Sequence, residues 1–327
     1  MKRQLTTIMI LAAFVAACVP ALPDKAYPEN GTYQVATDLT FKLSQRDFLL
    51  HVPPGIAPNK PLPLVVVLHG AFSTAGQTEQ ETGFSKLADR ENFLVAYPEG
   101  IGLFGLLQHW NAGHCCGKAA KDQIDDVAFI AEVIATIKQK VSVDPHRIYL
   151  AGMSNGGMLT YRYAAERPGE LAAIAVVSGT IGSHNIGKKP AWEIPAPTQP
   201  IPVIIFHGTA DGHIPVKGGI SPLKGGNRSY LPVTDAIEFW RQAGQCDTST
   251  LIAEQRQGSI RSHLWKNCVN NYRIEYHELE NWGHRWPAPF FTGRLENDER
   301  LLDFNATEKI WDFLQEFSLD KPIGETE

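Results

Sequence analysis

The sequence has no long run of basic residues, no internal repeat and no second compositional block. Each absence removes a class of function. With a formal net charge of −5 and no basic stripe, nucleic acid is not an expected partner. Without a linker or a shift in composition, no separate binding module is expected. The chain is 43% hydrophobic and 20% charged, which is ordinary globular composition and neither disordered nor fibrous. Its 327 residues can bury one large α/β core. Cysteine is scarce, and "HWNAGHCCG" at 109–117 has a spacing that matches no common zinc pattern, so no metal is expected.

What is present begins with export. "MKRQLTTIMILAAFVAAC" carries Lys2 and Arg3, then an apolar stretch, then small residues, as a secretory signal does. The stretch is too short for an ordinary membrane span. Val15-Ala16-Ala17-Cys18 resembles a bacterial lipoprotein box, which would leave Cys18 as a lipidated N-terminus; a plain signal cut nearby is the alternative. Export favours disulfides among Cys115, Cys116, Cys246 and Cys268. Cys246 and Cys268 flank a polar, hairpin-like stretch and could bridge. Adjacent Cys115 and Cys116 could form a vicinal disulfide, stay as thiols or pair elsewhere.

The domain plan follows. Residues 1–18 read as the signal, 19–32 as a Pro-rich tether, and 33–327 as one catalytic domain. "PLPLVVVLHG", "NFLVAYPEG", "RIYLAGM", "LAAIAVVSG" and "PVIIFHG" are nearly continuous apolar runs, separated by helical patterns. Val127, Ile130, Val133, Ile134, Ile137 and Val141 repeat at helical spacing; Met158 to Glu166 and Ala236 to Arg241 are also helical. Such strands indicate a mostly parallel central sheet with helices on both faces. Segments 184–200 and 217–231, rich in Gly, Pro and Lys, read as long loops over one end of that sheet.

Ser154 stands between Gly152 and Gly156 as G-x-S-x-G, after a strand and before a helix. That context makes the motif a nucleophile elbow. A serine hydroxyl needs a base, and the base needs an orienting carboxylate. The expected chain order is serine, acid, histidine. Asp211 follows a buried strand in "IIFHGTADGHIP", and His284 follows the last strand in "ELENWGHRWP". Asp125 and Asp126 are competing acids, but they precede the serine and read as helix caps. His207, His213 and His277 are competing histidines, and His207 is expected to pack under the acid loop. The oxyanion hole needs two backbone N–H groups, expected from Asn155 and Ala71, with Phe72 next. His69 reads as a structural hydrogen-bonding residue. Trp110 and Asn111 are expected near the cleft, and Trp282 and Trp286 as an aromatic wall or as packing around the loop.

Together these blocks resemble a known family. "LHGAFSTAG", "WNAGHCCG", "DDVAFI", "GMSNGGMLTYRYA", "FHGTADGHIPV" and "NWGHRWP" are similar to the secreted polyhydroxybutyrate depolymerase and feruloyl esterase family of α/β-hydrolases, over most of residues 45–317. The resemblance implies an α/β-hydrolase fold, a triad of Ser154, Asp211 and His284, and a disulfide between Cys246 and Cys268. Asn281-Trp282 departs from the small residues common there, which would narrow the cleft. The expected function is an exported, lipid-anchored serine carboxylic-ester hydrolase working through an acyl-enzyme without a cofactor. Its substrates would be feruloyl or acetyl esters of polysaccharides, or hydroxyalkanoate esters. The rival readings are a serine peptidase of the same fold and a non-catalytic glycan-binding lipoprotein.

Overall fold

The computed structural model of the chain describes residues 19–22, 28–42, 44–57, 60–103, 106–187, 190–224, 228–246, 253–266, 268–269, 272–288 and 304–319. The expected signal and Cys18 lie outside the described residues. Ten strands make one sheet: β1 Gly31–Phe41, β2 Ser44–Val52, β3 Leu62–Leu68, β4 Leu94–Pro98, β5 Val143–Met153, β6 Ala173–Val177, β7 Val203–Gly208, β8 Ala253–Gln257, β9 Ile260–Trp265 and β10 Ile274–Leu279. Their order across the sheet is β1-β2-β4-β3-β5-β6-β7-β10-β9-β8. The block from β4 to β10 is parallel, and each edge is closed by an antiparallel hairpin.

Helices α1 Ala75–Thr82, α2 Phe84–Glu91, α3 Gly117–Lys121, α4 Asp126–Lys140, α5 Asn155–Glu166, α6 Val233–Ala243 and α7 Ala306–Leu314 complete the fold. α4, α5 and α6 pack on one face of the sheet; α1, α2 and α7 pack on the other. Side chains alternate along a strand, so a strand covered on both faces must be apolar at every position. β3 shows this: Leu64, Val66 and Leu68 enter one core, and Val65 and Val67 enter the other. Each such side chain, fully buried, contributes roughly 1.5–3 kcal/mol.

Several boundaries differ from the sequence reading. α5 starts at Asn155, not Met158, because Gly156 and Gly157 are tolerated in its first turn, where the helix abuts the sheet. α6 runs from Val233 to Ala243, beyond the apolar stripe at Ala236–Arg241. Segments 184–200 and 217–231 each take part in a short hairpin, pairing Gly182–Ser183 with Trp192–Glu193 and Gly219–Ile220 with Ser229–Tyr230. The stretch read as a tether is partly fixed: Gln34 N–H donates to Pro20 O at 2.8 Å, and Leu22 N–H to Gln34 O at 3.4 Å. Asp125 caps α4 by accepting from Ala128 N–H at 2.9 Å. Asp126 does not cap; its side chain turns inward to Arg46, 2.6 Å away and fully buried.

Candidate active site

Ser154 joins β5 to α5 with φ 55 and ψ −119. A side chain in so sparsely populated a region costs about 1–3 kcal/mol, which the surroundings must over-determine. Here Ser154 N–H donates to Val177 O at 2.8 Å, and Ser154 O accepts from Met158 N–H at 2.9 Å. The glycines either side have steric causes. A Cβ on Gly152 would lie 2.5 Å from Gly156 O, and one on Gly156 would lie 2.5 Å from the carbonyl oxygens of Leu68 and His69. The tight turn therefore admits no side chain at either position. It presents Ser154 Oγ at the carboxyl end of the parallel strands.

β7 and β10 end beside each other, and their following loops are stitched together. Asn281 N–H donates to Thr209 Oγ1 at 2.8 Å, and Ala210 N–H to Trp282 O at 3.0 Å. A Cβ on Gly208 would collide with Trp282 O. This fixes Asp211 against His284. Asp211 Oδ2 lies 2.7 Å from His284 Nδ1, and His284 Nε2 lies 2.8 Å from Ser154 Oγ. The other oxygen, Oδ1, accepts from the N–H groups of His213 and Ile214 at 2.8 and 2.9 Å. Burial alone would raise the Asp211 pKa, but His284, His207 and the Ile214 N–H together hold it below the ordinary carboxylate value. His207 is buried beneath the acid loop, and its Nε2 contacts Ile214 O at 2.8 Å.

The loop after β3 is built around His69. Its Nδ1 donates to Gly70 O at 2.7 Å, while Nε2 accepts from Gly100 N–H at 3.0 Å. That pairing requires the neutral ring, and burial drives the His69 pKa down to about 4. Trp110 Nε1–H donates to His69 O at 2.9 Å. Phe72 N–H is engaged by Gln108 O at 2.8 Å, and Ala71 lines the pocket with Ser154 and Asn155.

A pocket of about 100 Å³ opens at the serine. Ser154, Asn155, His284, Ala71 and Phe72 form its reactive side. Met158, His213, Ile214, Cys116, Arg228 and Tyr230 form the rest. Phe72 is left-handed at φ 69 and 54% exposed, so its ring stands at the mouth. A wider hollow of about 770 Å³ beside α4 has no Ser, Cys or His in its lining.

The aromatic expectations need correction. Trp110 is fully buried and does not line the pocket. Its backbone N–H and carbonyl clasp the Asn155 side-chain amide at 2.7 and 3.1 Å, so it buttresses the elbow. Asn111 faces a different groove; its N–H donates to Asp126 Oδ2 at 2.7 Å and its amide to Ile124 O at 2.8 Å. Trp286 is buried between α2 and α7, near Phe84, with Nε1–H donating to Thr307 Oγ1 at 2.9 Å. Trp282 takes the packing alternative: it is buried, its indole N–H on Arg285 O of the histidine loop at 3.0 Å. The 109–117 segment braces the elbow through Trp110, and its Cys116 lines the pocket. Met158, Ile214, Arg228 and Tyr230 are lining residues that sequence reasoning did not assign to the site. Phe72, named second for the oxyanion loop from the sequence, lines the pocket, while its N–H is taken by Gln108 O.

Cys246 and Cys268 are joined, with S–S 2.04 Å. Cys115 and Cys116 form a vicinal disulfide across a cis peptide bond. Among the described residues no three His, Cys, Asp or Glu side chains converge as a metal site.

Comparison with known proteins matches residues 46–190 to the esterase PHB depolymerase family. NocK of Nocardia uniformis subsp. tsuyamanensis, named as an esterase, is 30% identical over 76% of this chain and 73% of its own length. Feruloyl esterase B of Piromyces equi is 27% identical over 84% of this chain, which spans only 46% of that protein. Among solved structures, the acetyl xylan esterase of Aspergillus awamori superposes with a TM-score of 0.54 at 17% identity, over 79% of this chain and 95% of that one. The last is a likeness of fold alone. The serine elbow and strands β3 to β6 lie within the matched segment, and the likeness to NocK extends across most of both chains: this chain belongs to the esterase PHB depolymerase family and has an α/β-hydrolase fold.

Proposed function

We propose that the chain is a serine carboxylic-ester hydrolase acting through an acyl-enzyme. One observation carries this reading: the unbroken line from Asp211 Oδ2 through His284 to Ser154 Oγ, with contacts of 2.7 and 2.8 Å. Ser154 Oγ attacks the ester carbonyl while His284 Nε2 takes its proton. Asp211 holds the Nδ1–H tautomer and stabilises the imidazolium that forms. The N–H groups of Ala71 and Asn155 receive the oxyanion. His284 returns the proton to the leaving alcohol, and water activated by the same ring releases the acid. No cofactor or metal takes part in this scheme.

The substrates are esters: feruloyl or acetyl groups on polysaccharides, or hydroxyalkanoate oligomers. The family supports ester hydrolysis, and the pocket of about 100 Å³ favours a small acyl group. The charged, apolar and small-residue blocks of 1–18 support export with lipid attachment at Cys18, ahead of a catalytic domain over 33–327. A bacterial lipoprotein carries more than one acyl chain, enough for stable membrane association.

Labelling by a fluorophosphonate probe tests the reading, together with turnover of p-nitrophenyl acetate, methyl ferulate, acetylated xylan and hydroxybutyrate oligomers. The purified protein is expected to label at Ser154 and to cleave at least one ester. A folded protein that does neither overturns the proposal. Mass spectrometry of an unmodified soluble N-terminus beyond residue 18 overturns the lipid anchor.

A further inference from the structure

The pocket at Ser154 has one permanent charge, and it is positive. Arg228 lines it, with Cys116 and Tyr230. The other titratable groups on the lining are His213, His284 and Tyr230; no carboxylate is among them. Arg228 Nη1 donates to both sulfurs of the Cys115–Cys116 disulfide at 3.1 Å. Disulfide sulfur is a weak acceptor. It positions a guanidinium without neutralising it.

Arg46 shows what this fold does with an arginine that only holds structure. Arg46 is buried, donates to Asp126 Oδ1 at 2.6 Å and to Glu99 O at 3.1 Å, and stacks 3.5 Å over Phe129. Arg228 has no such carboxylate partner among the described residues. Its charge acts on its neighbours: it lowers Tyr230 on the pocket lining, and His114 nearby, relative to what burial alone would give. A partly desolvated guanidinium without a counter-ion is the usual receptor for a planar anion.

We infer that Arg228 is a specificity-determining residue that binds a carboxylate on the substrate, so the preferred ester carries a carboxylate a few atoms from its scissile carbonyl. The inference rests on the proposed esterase reading of the same pocket. The carboxylate could sit on the acyl half, as in a dicarboxylic acid hemi-ester, or on the alcohol half, as in a short hydroxyalkanoate oligomer. Both present the same chemistry to Arg228.

Two substrate pairs separate these cases. Monomethyl glutarate against methyl glutaramate places the charge on the acyl half. The linear 3-hydroxybutyrate dimer against its terminal amide places it on the alcohol half. In at least one pair, the wild-type protein is expected to favour the carboxylate by about tenfold or more in kcat/KM, mainly through KM. Added salt should narrow that ratio. Arg228→Gln should collapse it, and Arg228→Lys should keep part of it. A residue that only shaped the wall would lower both members of a pair by one factor, and that result overturns the inference. So does a wild-type protein that shows no preference in either pair, an outcome that needs no variant to fold. If p-nitrophenyl acetate is cleaved while no pair is discriminated, only this inference fails. If no ester is cleaved, the esterase reading fails with it.

Discussion

Two buried aspartates sit on opposite sides of the elbow, and their partners set their roles. Asp126, under the 109–117 brace, gives one oxygen to Arg46 and the other to Asn111 N–H. Asp211, at the end of β7, gives one oxygen to two backbone N–H groups and the other to His284. Arginine keeps its proton at any pH the fold survives, so the Asp126 pair can only hold structure. Histidine can gain and lose a proton, and its far nitrogen meets Ser154. Similar packing of a carboxylate therefore gives a strut in one place and a relay in the other. The brace still serves the site, because it fixes Trp110, which clasps Asn155 and holds His69 O.

The relay side should govern turnover with little effect on stability. Ser154→Ala and His284→Ala should each lower kcat by about 10⁴–10⁶-fold while the urea midpoint stays near that of the wild type. Ester turnover and urea denaturation of the same preparations measure both. Near-normal turnover of a folded Ser154→Ala protein would show that this line of residues is not the machinery.

Asp211→Asn should come next, with a loss of about 10³–10⁴-fold in kcat. The variant keeps an oxygen for His213 N–H and Ile214 N–H but presents the imidazole with the wrong partner. Its stability should therefore change little. A silent Asp211→Asn alongside a dead Asp126→Asn would invert the comparison.

Asp126→Asn should do the reverse. It leaves Arg46, 5% exposed in its side chain, without its counter-charge. Breaking such a buried pair costs about 3–5 kcal/mol. Turnover per folded molecule should remain within about tenfold of wild type, since Asp126 touches the site only through Asn111 and Trp110. A stable but inactive Asp126→Asn protein would make the strut part of the relay.

The relay was far more legible in the sequence than the strut. Ser154 and Asp211 follow strands readable from their apolar runs, His284 follows the alternating strand in "YRIEYHELE", and short local blocks mark all three. The parallel block was legible for the same reason, since strands covered on both faces are apolar throughout. The strut was not, because Arg46 and Asp126 are 80 positions apart and nothing local announces their meeting. The indoles misled because burial is a tertiary property. Trp110 and Trp286 stand next to functional blocks in sequence but point into the core. Arg228 was hidden in a Gly- and Lys-rich segment whose path no periodicity fixes.

The smallest expected effect separates the two sides by pH. Glu99 follows β4 on the strut side; its Oε2 accepts from Ala75 N–H at 3.2 Å and its backbone O from Arg46. Burial pushes its pKa from 4.5 up to about 7, against the pull of Ala75 N–H and Gln108, with Asp47 adding to the rise. Its folded value therefore lies above its unfolded one. Its contribution to stability is complete below about 4.5 and is lost as pH rises through about 7, because the unfolded chain releases the proton first. Asp211 has the opposite sign. Its folded value lies below 3.8, so its contribution is present above 3.8 and is lost only as pH falls through the folded value. Glu99→Gln keeps the shape and removes the ionisation. Urea denaturation of wild type and variant at several values between pH 5 and 8 should show the wild type losing ground up to about pH 7 and levelling off above it, with a slope below ~1.4 kcal/mol per pH unit, the limit for one group. Asp211→Asn should run parallel to wild type over the same range and diverge only in acid. A wild-type curve parallel to Glu99→Gln throughout would mean that Glu99 is already ionised in the folded protein, and that the strut side, like the relay, holds its carboxylates charged.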